Sequence, residues 1–136
     1  MKITAVIPAY NEEKTLRGVL EPVMQCDEIS QVIVVNDGST DRTAEIAGEM
    51  GVDLITLPYN QGKGAAVKAG VAATQAEIIL LLDADLVGLT TDHIRALLSP
   101  VIKGEAMMTV GVFTEGRIST DISQQVAPVL NGQRAV

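Results

Sequence analysis

The sequence predicts an α/β domain: an open, doubly wound, mostly parallel sheet with helices on both faces. Three observations carry that expectation. Short apolar runs alternate with segments of helical period along most of the chain. The runs are apolar at successive positions, so both sides of each strand need cover, which is the pattern of parallel strands between layers of helices. Four runs end in clusters of Asn, Asp, Gly, Pro or Lys, and in such sheets ligands sit beyond the carboxyl ends of the strands. The 136 residues are expected to form one domain, 1–136, long enough to bury about two thirds of the unfolded surface.

Residues 2–7 (KITAVI) predict a buried strand stopped by Pro8. Leu16, Val19, Leu20 and Val23 then fall at i, i+3, i+4 and i+7, one stripe of a helix. Residues 31–35 (QVIVV) are a second strand. Ser39, Thr40 and Asp41 are expected to cap the short helix 43–50, which Gly51 closes. Residues 53–57 (DLITL) are a third strand, ended by Pro58. The alanine-rich segment 64–74 predicts a helix packed closely on the sheet. Residues 77–82 (EIILLL) are a fourth strand, ending at Asp83-Ala84-Asp85. Thr91 or Asp92 is expected to cap a helix with the stripe Ile94, Leu97, Leu98 and Val101. Residues 106–113 (AMMTVGVF) predict a fifth strand, and 122–130 one more helix or a loose segment.

Composition excludes several functions. Ten basic residues against seventeen acidic ones give a formal charge of −7, without the basic footprint of nucleic-acid binding. Aromatics make up 2%, too few for a base-stacking platform. A hydrophobic content of 47% excludes intrinsic disorder. The single Cys26 excludes a disulfide framework and a multi-cysteine zinc site, and is expected to be inert. The first apolar run, broken by Pro8 and Asn11, is too short for a signal segment, and no run approaches the roughly 18 residues of a membrane span. A soluble cytoplasmic domain is expected.

The polar residues suggest chemistry. Asp83 and Asp85 flank Ala84, and in an extended chain i and i+2 point the same way. Two such carboxylates repel unless a cation lies between them. Hard oxygens suit Mg²⁺ or Mn²⁺, which take further ligands from water and phosphate. The same residues also suit a turn with capping aspartates. Gly62-Lys63-Gly64 opens a helix, whose N–H groups and positive dipole end attract phosphate; the alternative is a solvated lysine at a helix start. It is neither a Walker loop nor a G-x-G-x-x-G fingerprint, because Val67 occupies the last position. Asp37 follows a buried strand and either accepts hydrogen bonds from a base or ribose or is a turn aspartate. Glu12 and Glu13 suit a helix first turn, and His93 a surface histidine rather than a metal ligand.

In order and spacing, Val6-Ile7-Pro8-Ala9-Tyr10-Asn11-Glu12-Glu13, Val34-Val35-Asn36-Asp37-Gly38-Ser39-Thr40-Asp41, Asn60-Gln61-Gly62-Lys63-Gly64 and Asp83-Ala84-Asp85-Leu86 resemble the family 2 glycosyltransferases. The resemblance is specific over 1–85 and looser over 86–136. It is closest to members similar to dolichyl-phosphate mannose synthases and glucosyl-3-phosphoglycerate synthases. It implies a GT-A fold and a nucleotide-diphospho-sugar donor, with a UDP- or GDP-sugar expected. By matching position it implies that Pro8, Ala9, Tyr10 and Glu12 line the nucleoside pocket and that Val35 and Asp37 contact the base. Lys63 would lie near the base or diphosphate, and Ala84 would meet the donor through its backbone. Asp85 would hold the metal, Mg²⁺ or Mn²⁺, and Asp83 the ribose or the metal.

The implied activity is metal-dependent, inverting transfer of a sugar to a polyprenyl phosphate, a phosphoglycerate or a saccharide. A polyprenyl acceptor would bring the protein to the inner face of the membrane. No acceptor base is assignable, so the chain is expected to be the donor-binding half of a longer enzyme or a minimal one. The alternatives are a nucleotide-sugar-binding module without turnover and a phosphohydrolase of the haloacid-dehalogenase type. The latter also uses Asp-x-Asp, with Val87 permitted, but expects it on the first strand. Strand 106–113, with Met107 and Met108, is expected to be partly bare, which predicts a homo-oligomer built on that edge.

Overall fold

The first apolar run forms β1 (Ile3–Ala9), buried at every position because strands flank it on both sides and helices cover both its faces. The structure, a computed structural model, describes residues 2–104 and the backbone of two later strands. The elements after β1 are α1 (Leu16–Met24), β2 (Gln31–Asn36), α2 (Thr43–Glu49), β3 (Asp53–Thr56), α3 (Lys63–Ala72), β4 (Ile78–Leu81) and α4 (Thr91–Ile102). The later strands are β5 (Thr109–Thr114) and β6 (Arg117–Ile122).

β1 to β4 form a parallel sheet in the order β3-β2-β1-β4. The chain winds outward from β1 through β2 to β3, then crosses back to the far side of β1 for β4. Right-handed crossovers in opposite directions place helices on opposite faces. Ile3, Ala5, Ile7 and Ala9 accordingly share a core with Leu16, Val19, Leu20 and Val23 of α1, Ile46 and Ala47 of α2, and Ile94, Leu97 and Leu98 of α4. Val6, Ile33 and Val35 face the other way, onto Ala66 of α3. α3 sits close to the sheet as expected: a Cβ on Gly70 would lie 2.4 Å from Val6 Cγ1. The reversal in strand order lies between β1 and β4, where doubly wound sheets open a crevice for ligands.

Several boundaries differ from expectation for identifiable reasons. β1 runs through Pro8 to Ala9. The β4 ladder pairs only Ile3–Val6 of β1, and the bond from Leu82 N to Val6 O is its last, so Pro8 lies past the paired stretch on the side that faces β4, where a proline breaks no rung of the ladder. α4 is capped by Thr90, one residue before the expected Thr91 or Asp92. The Thr90 hydroxyl accepts from His93 N (3.2 Å) and Thr90 N donates to His93 Nδ1 (3.2 Å), a capping box with histidine in the usual place of Glu or Gln.

The fifth strand is not a member of the main sheet. β5 pairs antiparallel with β6, from Thr109↔Ile122 to Thr114↔Arg117. Two residues, Glu115 and Gly116, separate them, which is hairpin length and too short for a parallel crossover. Residues 106–108 of the expected strand, and 123–130 of the expected helix or loose segment, lie outside the described residues; Ile122 ends β6. An unpaired edge on 106–113 was the ground for expecting self-association there, and β6 occupies one side of β5.

Candidate functional site

The carboxyl ends of β1, β2 and β4 and the start of α3 surround one cavity of about 360 Å³. Pro8, Ala9, Tyr10 and Glu12 line it from the segment joining β1 to α1, and Asp37 from the end of β2. Asn60, Gly62, Lys63 and Ala66 line it from α3 and the loop before it, and Asp83, Ala84 and Asp85 from the end of β4. Every expected site residue is there except Val35. The Val35 side chain is fully buried in the core beneath α3, because its position in β2 faces that helix. Gly62 belongs to the helix start Gly62-Lys63-Gly64 that the sequence offered to phosphate; Asn60 and Ala66 had no assigned role, although Asn60 opens the motif Asn60-Gln61-Gly62-Lys63-Gly64.

The first two loops are tied together. Asn11 has a φ of 53°, a left-handed conformation that Asn tolerates better than most residues. Its N–H donates to Ser39 Oγ (2.9 Å), and its Oδ1 accepts from Thr40 N (2.9 Å). Ser39 and Thr40 thus bridge loops, whereas the sequence suggested that they cap α2. Asp41 does accept from Thr43 N (2.9 Å) at the first turn of α2, and also from Glu13 N (3.2 Å). Burial pushes the Asp41 carboxyl up, but hydrogen bonds from the Thr43 hydroxyl and from the Thr43 and Glu13 N–H groups outweigh it and hold the group below its ordinary value.

Asp37 is 3% exposed and joins β2 to the loop before α3. Its carboxylate accepts from Gln61 N (2.8 Å), Gly62 N (3.0 Å) and Asn60 Nδ2 (3.2 Å). The two segments touch: a Cβ on Gly38, φ 73°, would lie 2.4 Å from the carbonyl carbon of Tyr59. Asp37 is therefore a loop anchor as well as part of the cavity wall, a role beyond the two that its sequence suggested.

Just past the end of β4, Asp83 and Asp85 are exposed and Ala84 between them is buried, in a turn where the sequence predicted an extended chain. The Thr15 hydroxyl, 3.1 Å from Glu12 Oε2, donates to Ala84 O (2.8 Å) and pins this turn to the first loop. Lys63 Nζ forms an ion pair with Asp83 Oδ1. The two aspartates supply hard oxygen donors to one cavity, and no third His, Cys, Asp or Glu completes a cluster among the described residues. That donor set fits Mg²⁺ or Mn²⁺, which accept one or two carboxylates and fill their coordination with water and phosphate oxygens. His93 serves as a cap. Cys26 is buried, which raises its thiol pKa and disfavours the reactive thiolate.

The family model described as "Glycosyl transferase family 2" matches residues 4–130. The chain is 38% identical over 100 residues to the dolichyl-phosphate beta-glucosyltransferase of Mus musculus, covering 62% of this chain and 31% of that protein. It is 30% identical over 120 residues to the glucosyl-3-phosphoglycerate synthase of Mycobacterium tuberculosis, covering 82% of this chain and 37% of that protein. The crystal structure of that synthase with uridine diphosphate superposes with a TM-score of 0.73 at 31% identity, over 85% of this chain and 45% of that one. Its complex with Mn²⁺ and UDP-glucose gives 0.70 at 30% identity, over 76% and 40%. The chain thus spans about a third of the length of these two curated relatives.

Proposed function

The chain belongs to glycosyl transferase family 2, and from that premise we propose that its cavity binds a nucleotide-diphospho-sugar for metal-dependent, inverting transfer of the sugar. The observation that carries the reading is the meeting of Asp83, Asp85, Lys63 and Asp37 on one cavity beside the β1–β4 switch point. The phosphohydrolase alternative loses support, because its Asp-x-Asp belongs on the first strand and here follows β4.

Pro8, Ala9, Tyr10 and Glu12 form the nucleoside side of the pocket, and Asp37 contacts the base while holding the loop that carries Lys63. Asp83 and Asp85 hold the divalent ion, Asp85 directly and Asp83 with a share in the ribose. A divalent ion bound there supplies Lewis-acid neutralisation of the departing diphosphate. Lys63 adds a positive charge on the phosphate side. Ala84, held by Thr15, presents its backbone to the donor.

The complexes of the mycobacterial synthase with uridine diphosphate and UDP-glucose favour a uridine donor over a guanosine one. The relatives' names favour a phosphate-bearing acceptor such as a polyprenyl phosphate or a phosphoglycerate. Such an acceptor is already anionic and needs no general base. Among the described residues no helix is long and apolar enough to cross a membrane; a polyprenyl acceptor would bring the protein to a membrane face.

Calorimetry of uridine diphosphate, UDP-glucose and GDP-mannose, each with and without Mn²⁺, tests the reading. Mn²⁺-dependent binding of the uridine ligands is the expected result. Equal, metal-independent binding of all three would overturn it. Sugar transfer assayed beside binding separates an enzyme from a donor-holding module.

A further inference from the structure

The cavity wall carries a cation of its own. Lys63, in the first turn of α3, reaches across to Asp83 at the end of β4, the strand on the far side of β1 from β2. The ammonium thereby sits on one of the two carboxylates assigned above to the divalent ion. Both partners are open to solvent, with side chains 66% and 49% exposed. An exposed pair of this kind is favoured by only a few-fold and exchanges readily.

The main chain beneath Lys63 is held by hydrogen bonds, while its side chain is exposed and held only by the ion pair with Asp83. Gly62 N donates to Asp37 (3.0 Å), and Ala66 N closes the first turn of α3 on Gly62 O (3.1 Å). From that anchored base a flexible four-carbon stem can place the ammonium at any point within its reach. The charges explain why it would move. Two aspartates without a cation repel each other, and a diphosphate brought beside them adds further negative charge. A single ammonium cannot serve both groups at once.

Resting on the donor-site reading, we propose that Lys63 is a resident counter-cation of Asp83. In the donor-free chain it neutralises that carboxylate and keeps the turn at Asp83–Asp85 in place. When the metal–diphosphate enters, Lys63 leaves Asp83 to the divalent ion and transfers its ammonium to the diphosphate. Lys63 then opposes metal binding in the empty site and supports nucleotide binding in the loaded one. A residue with a merely structural role would move both in the same direction.

The test compares the native chain with Lys63→Met and Lys63→Arg. Mn²⁺ affinity is read from the electron paramagnetic resonance of the free ion, and affinity for uridine diphosphate at saturating Mn²⁺ is read by calorimetry. Lys63→Met should bind Mn²⁺ alone about two- to fivefold more tightly, because its competitor is gone. It should bind uridine diphosphate about tenfold more weakly, through the loss of a charged contact. Lys63→Arg, which keeps the charge, should move both values back toward native. An unchanged or weakened affinity for Mn²⁺ alone in Lys63→Met, beside normal Mn²⁺-dependent nucleotide binding by the native chain, overturns the counter-cation role alone. Absence of Mn²⁺-dependent binding in the native chain overturns the donor site and this role with it.

Discussion

Asp85 lines the cavity, is exposed, and makes no ion pair in the described structure. Asp85→Ala is expected to remove Mn²⁺-dependent nucleotide binding and leave the unfolding transition in place; retained Mn²⁺-supported affinity by calorimetry would contradict this. Asp37 behaves differently because its carboxylate is already occupied by the 60–62 loop. Removing a charged acceptor costs about 1.5–3 kcal/mol. Asp37→Ala should therefore lower stability in urea by that order. Because the loop carries Lys63, it should also weaken both uridine diphosphate and inorganic pyrophosphate. A loss confined to the nucleotide would mean that Asp37 acts through the base alone. Asp41 makes a pH prediction. Its folded pKa lies below the unfolded one, so its contribution is complete above the ordinary carboxylate range and is lost as pH falls through the lower, folded value. Asp41→Asn should flatten the acid limb of stability measured by denaturant titration at successive pH values. These cross-loop roles were only partly legible in the sequence. Clusters such as Asn36-Asp37-Gly38-Ser39-Thr40-Asp41 announce a loop, but the same oxygens serve as caps or bridges. Only the folded position of Asn11 decides that Ser39 and Thr40 bridge.

At the scale of elements, α3 shows how packing overrides helix preference. Gly70→Ala would gain up to about 1 kcal/mol of helix propensity. Its Cβ would nevertheless stand 2.4 Å from Val6 Cγ1 and 3.1 Å from Val35 Cγ2. Overpacking of that kind costs about 1–3 kcal/mol, so the variant should unfold at lower urea. Gly48→Ala in α2 meets nothing within 4 Å and should be neutral or stabilising. A stabilised Gly70→Ala would show that α3 lies further from the sheet. The four parallel strands were legible as buried apolar runs and α1 and α4 as helical stripes, while α2 was legible from its cap residues and α3 from its alanine content. β6 was not, since residues 117–122 (RISTDI) are mostly polar and declare a strand only through pairing with β5. The cap of α4 was misplaced by one residue because Thr90, Thr91 and Asp92 are all good cap types. The extended backbone of Thr90 singles it out.

For the whole molecule, the pairing of β5 with β6 leaves β3 and β4 as the edges of the main sheet among the described residues. Leu54 is exposed on β3, while Ile78, Ile79 and Leu81 are half-buried on β4. Self-association is expected on these edges. It predicts a dimer by sedimentation velocity at high micromolar concentration, and a monomer there would end it. The position of β4 has a kinetic consequence too. Its partner is β1, and Ile3 pairs with Ile78, so the strand that leads into the two aspartates joins the sheet by closing the chain from Ile3 to Ile78 into a loop. Contacts that distant in sequence form late and slowly. During synthesis, Pro8 to Glu12 wait for their acidic counterparts until β4 has emerged and docked. Once they meet, a ligand spanning the β1 and β4 loops must let go before that edge strand can peel away. Occupancy would therefore slow local opening at β4 more than elsewhere in the sheet.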